Sequence, residues 1–184
     1  MSDLDRGSHF VFRAPSLPGD PPNSDFKVPS TDYFHGTWYV THSTLPMWKN
    51  NRNVRITYKP LAGSPEKLDD LVEYQNLKGE KLKCVCGVDT PEPGVPLSYH
   101  WRGKGMLMIA SSHWQVLGYG PEEEGWAVTY FAKTLFTPAG IDIYSRAKAG
   151  ISDALVQNIR EGLKKVDHIG CKTLEEGIFV VKHD

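Results

Sequence analysis

The chain has 184 residues, 40% of them hydrophobic and 23% charged, with a formal net charge of −1. That length fits one domain with a sizeable core. The balanced charge excludes the basic footprint of a nucleic-acid-binding protein, and no basic amphipathic stretch argues for a membrane surface.

The N-terminus, Met1-Ser2-Asp3-Leu4-Asp5-Arg6, carries acids where a secretory leader needs bases, and no apolar run follows. The stretch Gly105 to Pro121 lacks Lys, Arg, Asp and Glu, but it holds Ser111, Ser112, His113 and Gln115, so no membrane span is expected. A cytoplasmic protein is the expectation. Cys84, Cys86 and Cys171 are an odd, small set, which favours reduced thiols.

Residues 1–30 form a Pro-rich arm with Pro15, Pro18, Pro21, Pro22 and Pro29, and Phe10 and Phe12 are the side chains placed to anchor it. Residues 31–184 read as one folded unit. Strands are predicted at about 36–44 and 53–60, the second alternating Val54, Ile56 and Tyr58 with Arg55, Thr57 and Lys59. Further runs follow at Leu71 to Asn76 and Lys81 to Cys86. A turn-rich loop, Thr90 to Pro96, leads into runs at Ser98 to Arg102, Met106 to Ala110, Trp114 to Tyr119, Gly125 to Phe131 and 140–146. The short links suit an antiparallel meander. Ile151, Leu155, Ile159, Leu163 and Val166 then make one apolar stripe, which predicts a helix over about 151–166 with Ser152 as N-cap. Gly162 within it is unfavourable by about 1 kcal/mol relative to Ala. Gly177 to Val181 reads as a short final strand.

Gly36-Thr37-Trp38 near the start and the late strand Ile141-Asp142-Ile143-Tyr144-Ser145-Arg146, followed by a single helix, carry a family resemblance. This order resembles the lipocalins of the calycin group over residues ~30–182, and it is most similar to the bacterial and apolipoprotein-D-like branch. The resemblance implies an all-β fold: an eight-stranded antiparallel up-and-down barrel, one C-terminal α-helix packed outside it, and the N-terminal arm. It implies that Trp38 plugs the closed end with Arg146 across its indole. In secreted members a barrel cysteine joins one beyond the helix, which would pair Cys171 with Cys84 or Cys86. The family's middle motif has only a distant match here, Glu123-Glu124-Gly125-Trp126.

Strand alternation assigns faces once Trp38 is set inward. Val40 and His42 follow inward, with Ile56 and Tyr58 on the second strand and Tyr74 on the third. Tyr99 and Trp101, Met106 and Met108, and Trp126, Val128 and Tyr130 complete the expected interior. A wall of aromatic rings with a few polar tips describes a pocket for a hydrophobic small molecule, and equally a barrel filled by its own side chains. His42, Tyr58 and Tyr130 are the candidate acid–base and hydrogen-bonding groups. His42 is open to two readings, a general acid or base and a histidine hydrogen-bonded in the wall. No His, Asp or Glu cluster has metal spacing, Cys84-x-Cys86 lacks a second pair, and no phosphate loop is present, so neither metal nor cofactor is expected. Two functions stay open: a carrier of an apolar or aromatic small molecule, and a cofactor-free isomerase, cyclase or pericyclase on the same barrel. The sequence does not address oligomeric state.

Overall fold

A computed structural model describes residues 10–16, 20, 26–120, 125–166 and 174–184. Eight strands run in antiparallel order round a closed barrel: β1 Gly36–Ser43, β2 Asn51–Leu61, β3 Ser64–Asn76, β4 Leu82–Pro91, β5 Ser98–Gly103, β6 Ser111–Tyr119, β7 Trp126–Phe131 and β8 Gly140–Ser145. Each pairs with the next, and β1 closes the ring by pairing with both β2 and β8. Helix α1, Asp153–Lys165, follows, and a short β9, Phe179–Val180, adds to β1 on the edge opposite β8. This is the up-and-down barrel with one outer helix that the sequence predicts.

Two apolar clusters share the barrel wall. The inner one holds Trp38, Val40, Val54, Ile56, Tyr58, Trp114, Ala127 and Tyr144. The outer one packs Ile159, Leu163 and Val166 of the helix side against Leu117, Trp126, Val128, Ile141 and Ile143. β7 and β8 are therefore buried on both faces, which is why alternation on β7 is ambiguous. The structure turns Ala127 and Phe131 inward and sends Trp126, Val128 and Tyr130 to the helix side. This corrects the expected facing of Trp126, Val128 and Tyr130: the larger side chains fill the space between wall and helix.

The Ser152 hydroxyl accepts a hydrogen bond from the Leu155 amide, so the expected N-cap opens α1. Gly162 sits inside the helix for a packing reason. A Cβ there would lie 2.2 Å from the Phe12 ring, and one at Gly118 on β6 would meet the same ring at 2.5 Å. Phe10 and Phe12 lie against Trp126, with ring centroids 4.8 and 6.0 Å away. Arg13 ties the same segment to the wall through bonds to the carbonyls of Val116 and Leu97.

Residues 106–110 are not a strand. They form a short 3-10 turn, Gly105–Leu107, and the loop to β6, closed by bonds from Gly103 N to Ala110 O and from the Arg102 guanidinium to Met108 O. Met106 and Met108 are therefore exposed rather than inward-facing. An apolar run of this kind reads like a strand when its exposure is unknown.

Cys84 and Cys86 on β4 are free thiols, and Cys171 lies outside the described residues. Both β4 cysteines are expected to be alkylated by iodoacetamide in native protein purified without reductant. A mass showing either one protected until reduction would contradict this.

Candidate functional site

The closed end of the barrel is built around Trp38, which is fully buried. A 3-10 turn, Thr31–Phe34, seals it from below, and the indole donates to Phe34 O at 3.0 Å. The Arg146 guanidinium lies 3.6 Å above the indole ring. It also donates to the carbonyls of Thr37 at 2.9 Å, His35 at 2.8 Å and Tyr33. One side chain thus joins β8, β1 and the sealing turn. Three backbone acceptors and a ring face account for its position.

The other end is open. A cavity of about 480 Å³ enters the barrel there, within the size range of small-molecule sites. Trp48, Tyr58, Tyr74, Trp101, Trp114 and Phe131 border it, with Ile56, Val72 and Val85 between them. Trp114 organises the wall. Tyr58 stacks on it at 5.4 Å between centroids, and Tyr99, its partner across β5 and β6, does so at 4.7 Å. Trp48 comes from the 3-10 turn Pro46–Asn50 between β1 and β2 and meets Tyr74 edge-on at 5.6 Å. At the mouth, Ile109, Leu135 and Phe136 are almost fully exposed, so the entrance itself is apolar.

Ser111, Ser112, His113, Lys133, Thr134 and Thr137 also line the cavity, on the same mouth segments as Ile109 and Leu135, and a second set of polar groups lies deeper. The Tyr58 and Tyr144 hydroxyls meet at 3.3 Å, and burial raises the pKa of both. Asp142, at the cavity wall, accepts from the Ser43 hydroxyl at 2.5 Å and from the Trp48 indole at 3.3 Å. Burial nonetheless pushes its carboxyl up to about 7. Asp89 accepts from the Trp114 indole at 2.8 Å and is pushed up to about 7, again mainly by burial. Asp70 borders the cavity and is raised well above the usual carboxylate range by burial and by Asp89.

Of the residues singled out in the sequence, Ile56, Tyr58, Tyr74 and Trp101 border the cavity. Tyr99 backs it through Trp114, and Val40 is packed deeper, in the cluster around Trp38. Tyr130 and Val128 stand on the helix side, and Met106 and Met108 on the exposed turn. His42 also leaves the interior. The pairing of β1 with β8 passes from Val40↔Tyr144 to His42↔Ile143, so Thr41 is an extra residue and the facing inverts beyond it. Ser43 takes the inward place, while His42 bonds the Thr41 hydroxyl. Its pKa is lowered by burial and by Arg160 of the helix, against an opposite pull from Asp153.

The residues missed are Trp48, Trp114 and the three aspartates. Asp70 was within reach of the pattern, since it precedes Val72 and Tyr74 by two and four positions on the same face. Asp142 likewise alternates with Tyr144. Trp101, paired with Asp89 across β4 and β5, lays its ring over Gly87, two residues along β4: a Cβ at Gly87 would lie 2.0 Å from the indole nitrogen. Gly87→Ala is expected to displace that ring and lower stability by about 1–3 kcal/mol. Urea unfolding and near-ultraviolet circular dichroism read both effects, and an unchanged aromatic spectrum would contradict the placement.

Among the described residues, no three His, Cys, Asp or Glu side chains gather as a metal site would require, and no helix is long and apolar enough to cross a membrane.

No protein-family model matches the sequence, and no curated protein sequence matches it. Solved structures do match. Apocrustacyanin C1 and lobster apocrustacyanin A1 each superpose with a TM-score of 0.62 at 16% identity, over 85% of this chain and 81% of theirs. Ex-FABP, a siderocalin described as working through dual ligand specificities, gives 0.54 at 15% identity over 83% and 95%. These neighbours are lipocalins, and the fold of this chain is the lipocalin barrel.

Proposed function

We propose that this chain is a carrier that holds one small, largely apolar aromatic molecule inside the barrel. The observation that carries this reading is the cavity of about 480 Å³, walled by six aromatic side chains and opening on an apolar mouth. Aromatic walls supply large contact area, and the few polar groups fix orientation. Ile56, Tyr58, Tyr74 and Trp101 are the binding residues carried forward from the sequence, with Tyr99 positioning Trp114 from behind and Val40 supporting the floor. The likeness in fold to a siderocalin with dual ligand specificities supports a binding role in general. Closer kinship with the bacterial and apolipoprotein-D-like branch is proposed on the Ser145-Arg146 strand end and the Ile/Leu stripe of the helix. Free thiols at Cys84 and Cys86 suit a reducing, cytoplasmic setting.

The experiment is incubation with a panel of polyenes, quinones and aromatic ketones at stoichiometric and at trace protein. A bound compound recovered unchanged supports the carrier. Product formed at trace protein supports the second reading, a cofactor-free isomerase or cyclase. That reading draws on Asp142, whose carboxyl at the cavity wall is pushed up to about 7, and on the Tyr58 hydroxyl. In that case Asp142→Asn is expected to lower turnover by about 10²–10⁴ with little change in binding. His42 stands on the opposite side of the wall, so His42→Ala is expected to leave binding unchanged within about twofold. A larger loss in the titration would return His42 to the site.

A further inference from the structure

Asp70 is the unusual member of the cavity wall. It lies on β3 opposite Tyr58 of β2 and Gly87 of β4. It is only 5% exposed, yet it borders the cavity, and its Oδ1 accepts no hydrogen bond. Asp89 of β4 is fully buried nearby. Its Oδ1 takes the Trp114 indole, and its Oδ2 also has no donor. Native chains satisfy nearly all buried acceptors. Here two neighbouring carboxyl groups are left short of donors, and Asp70 is the one of the pair that borders the open cavity.

Each strand around Asp70 presents a group that acts on its charge. Asp89 from β4 and Asp69, next along β3, disfavour its charge. The Trp101 side chain from β5 favours its charge, as does Lys104 from outside, where it pairs with Asp69. Tyr58 from β2 is a neutral phenol held above its usual pKa by burial. Among the described residues, no Lys or Arg pairs with Asp70 or Asp89 in a salt bridge. Around the free oxygens stand the rings of Tyr58, Trp101 and Trp114. Aromatic faces and an unpaired acceptor both attract a cation that carries N–H donors, and both disfavour an anion.

Resting on the carrier reading above, we infer that the cavity takes a ligand with a protonated amine. The ammonium donates to Asp70 Oδ1 at the deep end, and the aromatic or alkyl body lies along Trp48, Tyr74 and Phe131. A single positive charge offsets the mutual repulsion of Asp70 and Asp89 and supplies the missing donors. A neutral hydroxyl supplies one donor and no charge.

The test uses three probes with the same ring: tryptamine, tryptophol and indole-3-acetate, titrated calorimetrically into wild type and Asp70→Asn. Tryptamine is expected to bind wild type at least about tenfold more tightly than tryptophol, with indole-3-acetate weakest. Asp70→Asn is expected to erase the preference for the amine while tryptophol affinity stays within about threefold, which also shows the variant is folded. Tryptamine affinity is expected to rise with pH, with proton release, because the bound form needs Asp70 ionised and burial raises its pKa. Equal affinities for tryptamine and tryptophol, or an amine preference that survives Asp70→Asn, would overturn the inference and leave the cavity reading standing. So would a failure of all three indoles to bind while N-phenyl-1-naphthylamine still saturates. Failure of that dye as well would overturn both.

Discussion

Trp38→Ala is expected to lower the free energy of unfolding by about 3–5 kcal/mol, the usual range for truncating a large core aromatic. Trp38 is fully buried, and Tyr33, Phe34 and Tyr144 have ring centroids within 5.6–6.2 Å of its own. Removing the indole opens a void beneath the cavity floor and takes away the face on which Arg146 rests. Arg146→Met keeps much of the length but abandons the carbonyls of Tyr33, His35 and Thr37. Because the guanidinium is only half-buried, water can reach some of those acceptors, and the expected loss is about 1–3 kcal/mol. The two changes share one contact, so the double variant should lose less than the sum. Urea unfolding at a single pH measures all three. Full additivity would mean that the cation–ring contact contributes nothing.

The second large effect is a dependence of stability on pH that centres on Asp142. Its folded-state pKa of about 7 stands above an unfolded value near 3.8, so the folded protein holds a proton there that the unfolded chain releases. Stability from this group is present below the unfolded pKa and is lost as pH rises toward about 7. The full loss is about 4 kcal/mol at about 1.4 kcal/mol per pH unit. Asp89, also pushed up to about 7, and Asp70, raised by burial, add to this slope, whereas His42, His100 and His183 have pKa values lowered by burial and contribute the opposite one. The difference between wild type and Asp142→Asn removes their part. At pH 4 the variant should be slightly the less stable, because Asn cannot hold both Ser43 and the Trp48 indole as the acid does. By pH 8 it should be the more stable, with the difference shifting by about 3–4 kcal/mol. Parallel stability curves for the two proteins would show that Asp142 is ionised throughout.

Much of this fold is legible from residue order. Val54, Ile56 and Tyr58 fix the face of β2 because a strand has a period of two, and Ile159 and Leu163 fix the helix face because a helix has a period near 3.6. Trp38 and Arg146 mark the closed end because a ring and a guanidinium at those two places have one obvious way to meet. Alternation failed where the backbone or the packing breaks its premise. The extra residue Thr41 inverts the facing of β1, so His42 leaves the interior without any change in sequence pattern. β7 is apolar on both sides, so pattern cannot say whether Val128 and Tyr130 or Ala127 and Phe131 face inward. Met106 and Met108 lie on an exposed turn, where hydrophobicity does not report burial. The buried aspartates were passed over because charge ordinarily marks the outside of a strand. A carboxylate in the inward register of a barrel is the signal that would have found Asp70 and Asp142.

A carrier holds a small molecule at the open end of its barrel, where a filled barrel has side chains alone. Fluorescence titration with N-phenyl-1-naphthylamine distinguishes the two, in wild type and in Val72→Trp, which projects an indole from β3 into the cavity. Saturable binding of one dye per chain is expected, weakened by at least about tenfold in a Val72→Trp variant that still unfolds cooperatively. A dye that fails to saturate, or that binds Val72→Trp as tightly as wild type, would contradict a ligand inside the barrel.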